Sequence, residues 1–523
     1  MISVIYHQKD SFWDQSLLKD LLSGEPFTEK TAGDGCIFIV AGEYTGVGQI
    51  NKAIEKFAWV LLVITSDEQS KFNIEGVLHP NVKIYLQYPK QGRHDDYTRI
   101  PLGYASHARA NLELKNKTLD YFFSGQVTHA RRKELQQAVE IIKADPKYTI
   151  EGEFNSTPGF SQGYGPSEYM KKMCSTITVP TPAGPVCADS FRTYEALEAG
   201  AVPIADGYSP AGDRNYYNYL FDNLGFPQIE NYEDLAGYIE DQVKTYPENN
   251  NRAQAWWIQY KHSLRQQFID DASKLSGQSY TPKTTVIVPV SPIKSHPSTE
   301  KLQKCIESIR HHLDCEIIIT FDGVRPEQED RRADYEEFIR RALFKCNTEW
   351  SALPLIFEDH THQVGMMHKA LEYVTSPTVV YVEGDTGFVL DREIDWQNCI
   401  DTILSGNSNL IRFHFEGIIP KEHDSLMIAK DGELIETYQW SQRPHIASTA
   451  YYRSILNNHF SLNAKSFIED KMHGVLAEAY LQDGRPGWLQ HRVHIYAPES
   501  NLKYSVNFDG REGGEKWDDT QQF

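Results

Sequence analysis

The sequence has few of the features that would place it outside the ordinary globular classes. Its seven cysteines are scattered with no CxxC spacing, which excludes a zinc knuckle and a secreted disulfide scaffold and fits free buried thiols in a reducing compartment. The longest apolar run is the eight residues 57–64, well short of a membrane span. The opening MISVIYHQKD lacks a basic stretch followed by an apolar one, so no secretory leader is expected. No repeat of 20 to 50 residues and no low-complexity tract is visible, which removes solenoids and propellers. Basic excess is also missing. Lys and Arg number 52 against 72 Asp and Glu, a net charge of −20 over 523 residues. Both parts share the acidity, with 28 − 35 = −7 over residues 1–283 and 24 − 37 = −13 over 284–523. A nonspecific nucleic-acid coat protein is therefore excluded, and any polyanion contact must be local.

What is present is an alternation of short apolar runs with helical stretches. SVIY, CIFIV, WVLLVI, KIYL and YFFSG occur in the first part, then TVIVPV, EIIIT, LPLIF, TVVYVEG and NLIRFHF in the second. This order predicts an α/β chain with largely parallel sheets. The segment LSGQSYTPK at 275–283 has the Gly, Ser and Pro punctuation of a linker and is followed at once by a new buried strand, so a domain boundary is expected near residue 280. The Gly-rich, charged tail NFDGREGGEKWDDTQQF is expected to lie on the surface or to be disordered.

In the second part, TVVYVEGDTGFVL sets Glu383, Gly384 and Asp385 at the exit of a buried strand, where open α/β sheets bind ligands. Two carboxylates one residue apart suit Mg²⁺ or Mn²⁺ bridging a diphosphate, and Gly384 would let the backbone approach the ligand closely. Upstream, CEIIITFDG ends a strand in Asp322, and MMHKALEYVTSP forms a helix before the acidic strand. This succession over roughly residues 284–500 resembles the nucleotide-sugar half of GT-A glycosyltransferases, particularly the inverting family 2-like enzymes. The resemblance implies that Asp322 contacts the base or ribose and that Glu383 and Asp385 occupy the metal-binding acidic motif, with Glu in place of the first Asp. It further implies that SFIEDKMHGVLAEAY holds the general base, Asp470 with Glu469 as the alternative, and that a histidine of the stretch GWLQHRVHIYAP completes the metal shell. That stretch reads as a strand, with His491 and His494 on opposite faces and His494 preferred. The Trp440, Arg443 and His445 stretch falls where acceptor loops occur in such folds, either as a stacking surface or as plain packing. The histidines 360, 362 and 368 lack the spacing of a zinc helix.

In the first part, YFFSGQVTHARRKEL runs from a strand through a Gly turn into a helix opening with His129, Arg131 and Arg132. A helix N-terminus with adjacent basic side chains forms an anion site. Residues 83–133 hold ten Lys and Arg against four Asp and Glu, although the whole part is acidic. Downstream, MCSTITVPTPAGPVCADSFRTYEALEAGAVPIADG resembles the donor-binding signature of exostosin-type (family 47) GT-B glycosyltransferases. Ser190, Arg192, Glu195, Ala196, Leu197, Gly200, Val202 and Pro203 carry the resemblance. It implies that the loop amides and Arg192 hold a diphosphate and that Glu195 takes the ribose hydroxyls. No base stands out in this part; His7, Asp95 and Asp96 are unplaced candidates.

Together these resemblances imply a GT-B-like, Rossmann-type part at 1–280, with subdomains of about 1–120 and 121–280, followed by a GT-A-like α/β domain at 281–523. The expected activity is transfer of a hexosyl or pentosyl group from a nucleotide-diphosphate sugar to a hydroxyl acceptor, inverting and Mn²⁺- or Mg²⁺-assisted in the C-terminal half. Either both halves act, or one is a degenerate scaffold. The acceptor would be a glycan or a hydroxymethylated DNA base, in a bacterial cytosol or a virus-infected cell, with no membrane partner. The alternative is a non-catalytic carbohydrate- or nucleic-acid-binding protein on the same folds.

Overall fold

The computed structural model describes residues 1–7, 13–30, 33–91, 97–159 and 162–508. It separates into two compact units, Met1–Tyr280 and Thr281–Phe523. The tail from residue 509 onward and the pair Asp95 and Asp96 lie outside the described residues.

In the first unit, the strands β1 (Ile2–Tyr6), β2 (Phe27–Thr28), β3 (Gly35–Ala41), β4 (Trp59–Thr65), β5 (Val82–Leu86) and β6 (Tyr97–Arg99) form one parallel sheet. Its order among the described residues is β2-β1-β3-β4-β5-β6. β3 and β4 are buried along their whole length, as expected for strands covered on both faces. A second parallel sheet comprises β7 (Leu119–Gly125), β8 (Gly152–Ser156), β9 (Thr176–Thr181), β10 (Val202–Asp206) and β11 (Gln228–Ile229), ordered β11-β10-β9-β7-β8. The chain leaves β7 towards β8 and then crosses back to place β9 on the other flank of β7. The crevice at the carboxyl ends of β7 and β9 is therefore the switch point at which such sheets take ligands. The long helix Glu248–Ser276 ties the unit together. Its Asp271 accepts a hydrogen bond from Tyr85 of β5 at 2.6 Å, and its Asn250 donates to the carbonyls of Ile177 in β9 and of Gly200.

In the second unit, β12 (Thr284–Val290), β13 (Glu316–Phe321), β14 (Ala352–Ile356), β15 (Thr378–Tyr381), β17 (Leu410–Arg412), β18 (Met427–Asp431), β19 (Leu434–Thr437), β20 (His445–Ser448) and β21 (Val493–Tyr496) form one mixed sheet. Its order is β14-β13-β12-β15-β20-β17-β21-β19-β18. β14, β13, β12 and β15 are parallel, while β20 runs antiparallel to both β15 and β17. A small ribbon pairs β16 (Thr386–Phe388) with β22 (Ser505–Asn507). The switch point here lies between β12 and β15, because the chain builds β13 and β14 on one side of β12 and then returns to the other.

One local expectation is corrected. The stretch read as a strand carrying His491 and His494 is a helix, Arg485–His491, followed by β21. Pro486 in its first turn presets the helical backbone, and Arg492 in the left-handed region, with φ of 46°, ends it.

Candidate functional site

The crevice between β12 and β15 opens into a cavity of about 640 Å³. Pro289, Val290 and Ser291 line it from the end of β12, Asp322 from the end of β13, and Glu383, Gly384 and Asp385 from the end of β15. Gly384 also serves the sheet. Its N–H donates to the Pro289 carbonyl at 3.0 Å, and a Cβ there would lie 2.8 Å from the Val290 side chain. Asp322 is buried, and its Oδ1 accepts from the backbone N–H groups of Gly323, Thr361 and His362 at 2.9, 2.7 and 3.2 Å. It thus holds the start of the helix His362–Glu372, a favourable place for a carboxylate. His360 and His362 of this loop also line the cavity.

Glu383 stands at the end of a hydrogen-bonded chain that sequence reading missed. The Ile468 N–H donates to Gln363 Oε1 at 2.8 Å, Gln363 Nε2 donates to the Tyr381 hydroxyl at 2.6 Å, and that hydroxyl donates to Glu383 Oε1 at 3.1 Å. Gln363 thereby joins the helix Ile468–Asp483 to the acidic strand exit. Burial pushes the Glu383 carboxyl up to about 7, and Asp385 adds to the effect; the Tyr381 hydrogen bond and Arg443 oppose it, and Glu469 raises it further. Three carboxylates thus share one region with little water to screen them.

Glu469 and Asp470 both lie in the first turn of the helix Ile468–Asp483. Glu469 is half-buried, and its Oε2 accepts from the Gln442 N–H at 3.0 Å. Asp470 is exposed and makes no side-chain hydrogen bond or ion pair among the described residues. Trp440 is buried, with its Nε1 donating to Gln442 Oε1 at 3.0 Å, so it packs instead of offering a stacking surface.

The histidines expected in a metal shell are elsewhere. β21 lies three strands from β15 in the sheet order, roughly 14 Å away at the usual strand spacing. His494 is buried there with its Nδ1 2.8 Å from Ser408 Oγ, and His491 bonds the Tyr451 hydroxyl through Nδ1 at 2.9 Å. Both are structural. Among the described residues no three His, Cys, Asp or Glu side chains are grouped closely enough to hold a metal. The donor set at the end of β15 is two carboxylates. That fits Mg²⁺ or Mn²⁺ held by one or two protein carboxylates with phosphate oxygens completing the shell, and does not fit a cage built wholly of protein.

At the switch point of the first unit the chemistry is of opposite sign. The helices that follow β7 and β9, Ala130–Ala144 and Phe191–Glu198, both start there. Arg192 lies over the Phe123 ring at 4.7 Å, and its Nη2 donates to the Ser124 carbonyl at 2.8 Å. A Cβ at Gly125 would approach that Nη2 to 2.7 Å, so a side chain there would displace the guanidinium. Arg132 donates to the Gln126 carbonyl at 3.0 Å. The Nε atoms of Arg132 and Arg192 are buried with no hydrogen-bond partner. Burial and then the Arg192 charge push Arg132 down to about 10, while burial and Arg132 push His129 down to about 4. Ser190 caps the second helix without using its hydroxyl on the helix amides. Glu195 is buried, its Oε2 accepting from the Tyr169 hydroxyl at 3.0 Å.

Arg131 does not belong to this cluster. Its Nε and Nη2 each reach Asp206, at the end of β10, at 2.8 Å, and it also bonds the Glu230 carbonyl. Asp206 is fully buried, so Arg131 is the counterion of a structural carboxylate and is not available to a ligand. His7 is exposed beside Phe38.

No protein-family model matches the sequence, and no curated protein matches it. Parts of the chain are similar to solved structures. S. aureus TarS is 14% identical over 43% of this chain and 36% of its own, with a TM-score of 0.29. TarS 1–349 in complex with UDP-GlcNAc is 15% identical over 44% of this chain and 60% of its own, with a TM-score of 0.30. The mannosyltransferase PcManGT from Pyrobaculum calidifontis, in complex with GDP-Man and Mn²⁺, is 11% identical over 50% of this chain and 69% of its own, with a TM-score of 0.30. The chain thus spans little more than a third of full-length TarS.

Proposed function

We propose that this protein is a glycosyltransferase that moves a hexosyl or pentosyl group from a nucleotide-diphosphate sugar to a hydroxyl acceptor. The observation that carries the reading is the pair Glu383 and Asp385 at a sheet switch point, at the mouth of a cavity of nucleotide size. In this reading the second unit is a GT-A-type domain. Asp322 and the His360–His362 loop face the nucleoside, and Glu383 with Asp385 would hold Mg²⁺ or Mn²⁺. The ion, when bound, neutralises charge on the leaving diphosphate.

Asp470 is assigned as the general base. It takes the proton of the acceptor hydroxyl as that oxygen bonds to the anomeric carbon and the bond from that carbon to the diphosphate oxygen breaks, inverting the centre. A base must be unengaged, and Asp470 is exposed with no side-chain hydrogen bond or ion pair among the described residues. Glu469 instead holds the Gln442 loop in place and acts as a positioning residue.

The first unit is read as an exostosin-like GT-B part. Arg132, Arg192 and the two helix starts would neutralise a diphosphate without metal, with Ser190 and Glu195 on the ribose side. The protein is then bifunctional, its acceptor a glycan or a hydroxymethylated DNA base. The test is release of UDP or GDP from a panel of nucleotide sugars, with and without Mn²⁺, for wild type, Asp385→Ala and Glu195→Ala. Release is expected to need metal and to fall about 10²–10³-fold in Asp385→Ala for a donor used by the second unit. Release lost only in Glu195→Ala places the activity in the first unit. No release and no nucleotide binding overturns the reading.

A further inference from the structure

On the flank of β15 away from the nucleotide cavity, β20, β17 and the residues next to them carry a cluster of arginine and histidine side chains that the reaction described above does not use. β17 runs in the same direction as β15, because each is antiparallel to β20, so its carboxyl end opens on the same edge of the sheet. Arg412 pairs with His445 in register, and the Phe413 N–H donates to the Pro444 carbonyl at 2.8 Å. The pairing therefore continues to His414 opposite Arg443. Alternation along paired strands puts Arg412, His414, Arg443 and His445 on one face.

Both arginines are fixed, and among the described residues neither has a carboxylate at ion-pair distance. Arg412 is only 4% exposed. Its Nη2 donates to Gln439 Oε1 at 2.7 Å and its Nε has no partner. Arg443 is half-buried and stacked on Phe415 at 3.8 Å, and its Nη1 donates to Asn507 Oδ1 at 3.3 Å. Asn507 pairs with Thr386, the residue after Asp385, so this guanidinium stands beside the metal-type carboxylates. Neither arginine forms an ion pair among the described residues. Glu469, the carboxylate that acts on Arg412, accepts from the Gln442 N–H. His414 Nδ1 lies 3.0 Å from the Glu416 N–H and 3.2 Å from the Glu416 carbonyl, which leaves Nε2 as the ring nitrogen that can face a ligand. Glu469 acts on Arg412 and Arg443 acts on Glu383 through space, but among the described residues no carboxylate reaches either guanidinium at hydrogen-bonding distance, and an anion that joined the two would complete both.

We propose that Arg412, His414 and Arg443 bind an anionic substituent of a sugar, a carboxylate, phosphate ester or sulfate. The position assigns the anion to the sugar end of the reaction. The nucleotide cavity lies towards β12 and β13, the carboxylate pair follows β15, and these groups lie beyond it. The inference rests on the transferase reading of the second unit and names the chemical class of its substrate. The anion could sit on the donor sugar or on the acceptor.

The test uses the full chain and calorimetric titration in two arms. The donor arm compares UDP-glucuronate with UDP-glucose in Mn²⁺. The acceptor arm compares glucuronate and glucose 6-phosphate with glucose, with UDP and Mn²⁺ saturating. An anionic member is expected to bind roughly tenfold or more tightly than its neutral partner in one arm. Arg443→Gln should remove that preference while leaving the affinity for UDP unchanged, and Arg412→Gln should do the same if it folds. Half-exposed Arg443 keeps the test decisive if the buried Arg412 variant does not fold. No preference in either arm, or a preference that survives in Arg443→Gln, overturns the proposal. So does loss of UDP affinity in Arg443→Gln, since the guanidinium would then serve the diphosphate. Failure of both UDP and GDP to bind would overturn the transferase reading instead. The sugar-acid titrations, run without nucleotide, would still decide the inference.

Discussion

The two switch points use the same topology and opposite charge. At the ends of β7 and β9 the crevice presents two guanidiniums, a neutral imidazole and two helix starts. At the ends of β12 and β15 it presents Glu383 and Asp385, with Glu469 close enough to raise Glu383 further. A parallel sheet therefore supplies a place for a ligand and leaves its charge to the residues at the strand exits. On the proposed reading the first arrangement would neutralise a diphosphate from the protein alone. On the same reading the second would need a divalent cation, because the groups at its strand exit, Glu383 and Asp385, have the diphosphate's own sign. The difference predicts metal independence on one side and metal dependence on the other.

The largest effect expected from breaking this comparison is structural. Arg131→Ala removes the partner of fully buried Asp206 and should cost about 3 kcal/mol of stability or more, read as a lower thermal midpoint. Next in size is the ligand effect at its neighbours. With the second unit disabled by Asp385→Ala, UDP or GDP should still bind the first unit in EDTA. Arg132→Gln or Arg192→Gln should weaken that binding roughly 10- to 100-fold with little change in midpoint. If Arg131→Ala and Arg132→Gln behave alike, the division between counterion and ligand donor is wrong.

The smallest effect is a pH dependence in the second unit. Between about 4.5, the ordinary value, and about 7, the folded protein keeps a proton on Glu383 that the unfolded chain has lost. Stability therefore falls as pH rises through that window. Glu383→Gln should flatten this slope by on the order of 1 kcal/mol, less than a full shift would give because the site is partly open to solvent. Thermal melts of both proteins across pH 4.5–7.5, without metal, check the sign. A wild-type slope that rises or equals that of the variant would refute it.

Much of the α/β order was readable because completely buried strands are continuous apolar runs, and 57–64 or 284–290 cannot be mistaken for an amphipathic helix. Glu383 and Asp385 were legible for a related reason: each follows a strand closely in sequence. What was not legible depends on partners far along the chain. Nothing near Arg131 in the sequence announces Asp206, 75 residues on, so two adjacent arginines read as one anion site when only Arg132 faces it. His494 alternates as a metal ligand should, yet the sheet order carries β21 away from β15. Gln363 had no motif at all, and its role appears only when Ile468 and Tyr381 are brought to either side of it.

That glutamine also fixes a direction. A backbone N–H can only give a proton, so Ile468 obliges the carboxamide to present its oxygen on one side and its NH₂ on the other. The Tyr381 hydroxyl then receives from Gln363 and has its single hydrogen left for Glu383. Every hydrogen along this line is aimed from the start of the helix Ile468–Asp483 towards the acidic strand exit, as if rectified. The tyrosine therefore steadies the charged carboxylate and is not turned to take a proton from it, and the sense of the whole relay is set by one main-chain amide more than eighty residues away in the sequence.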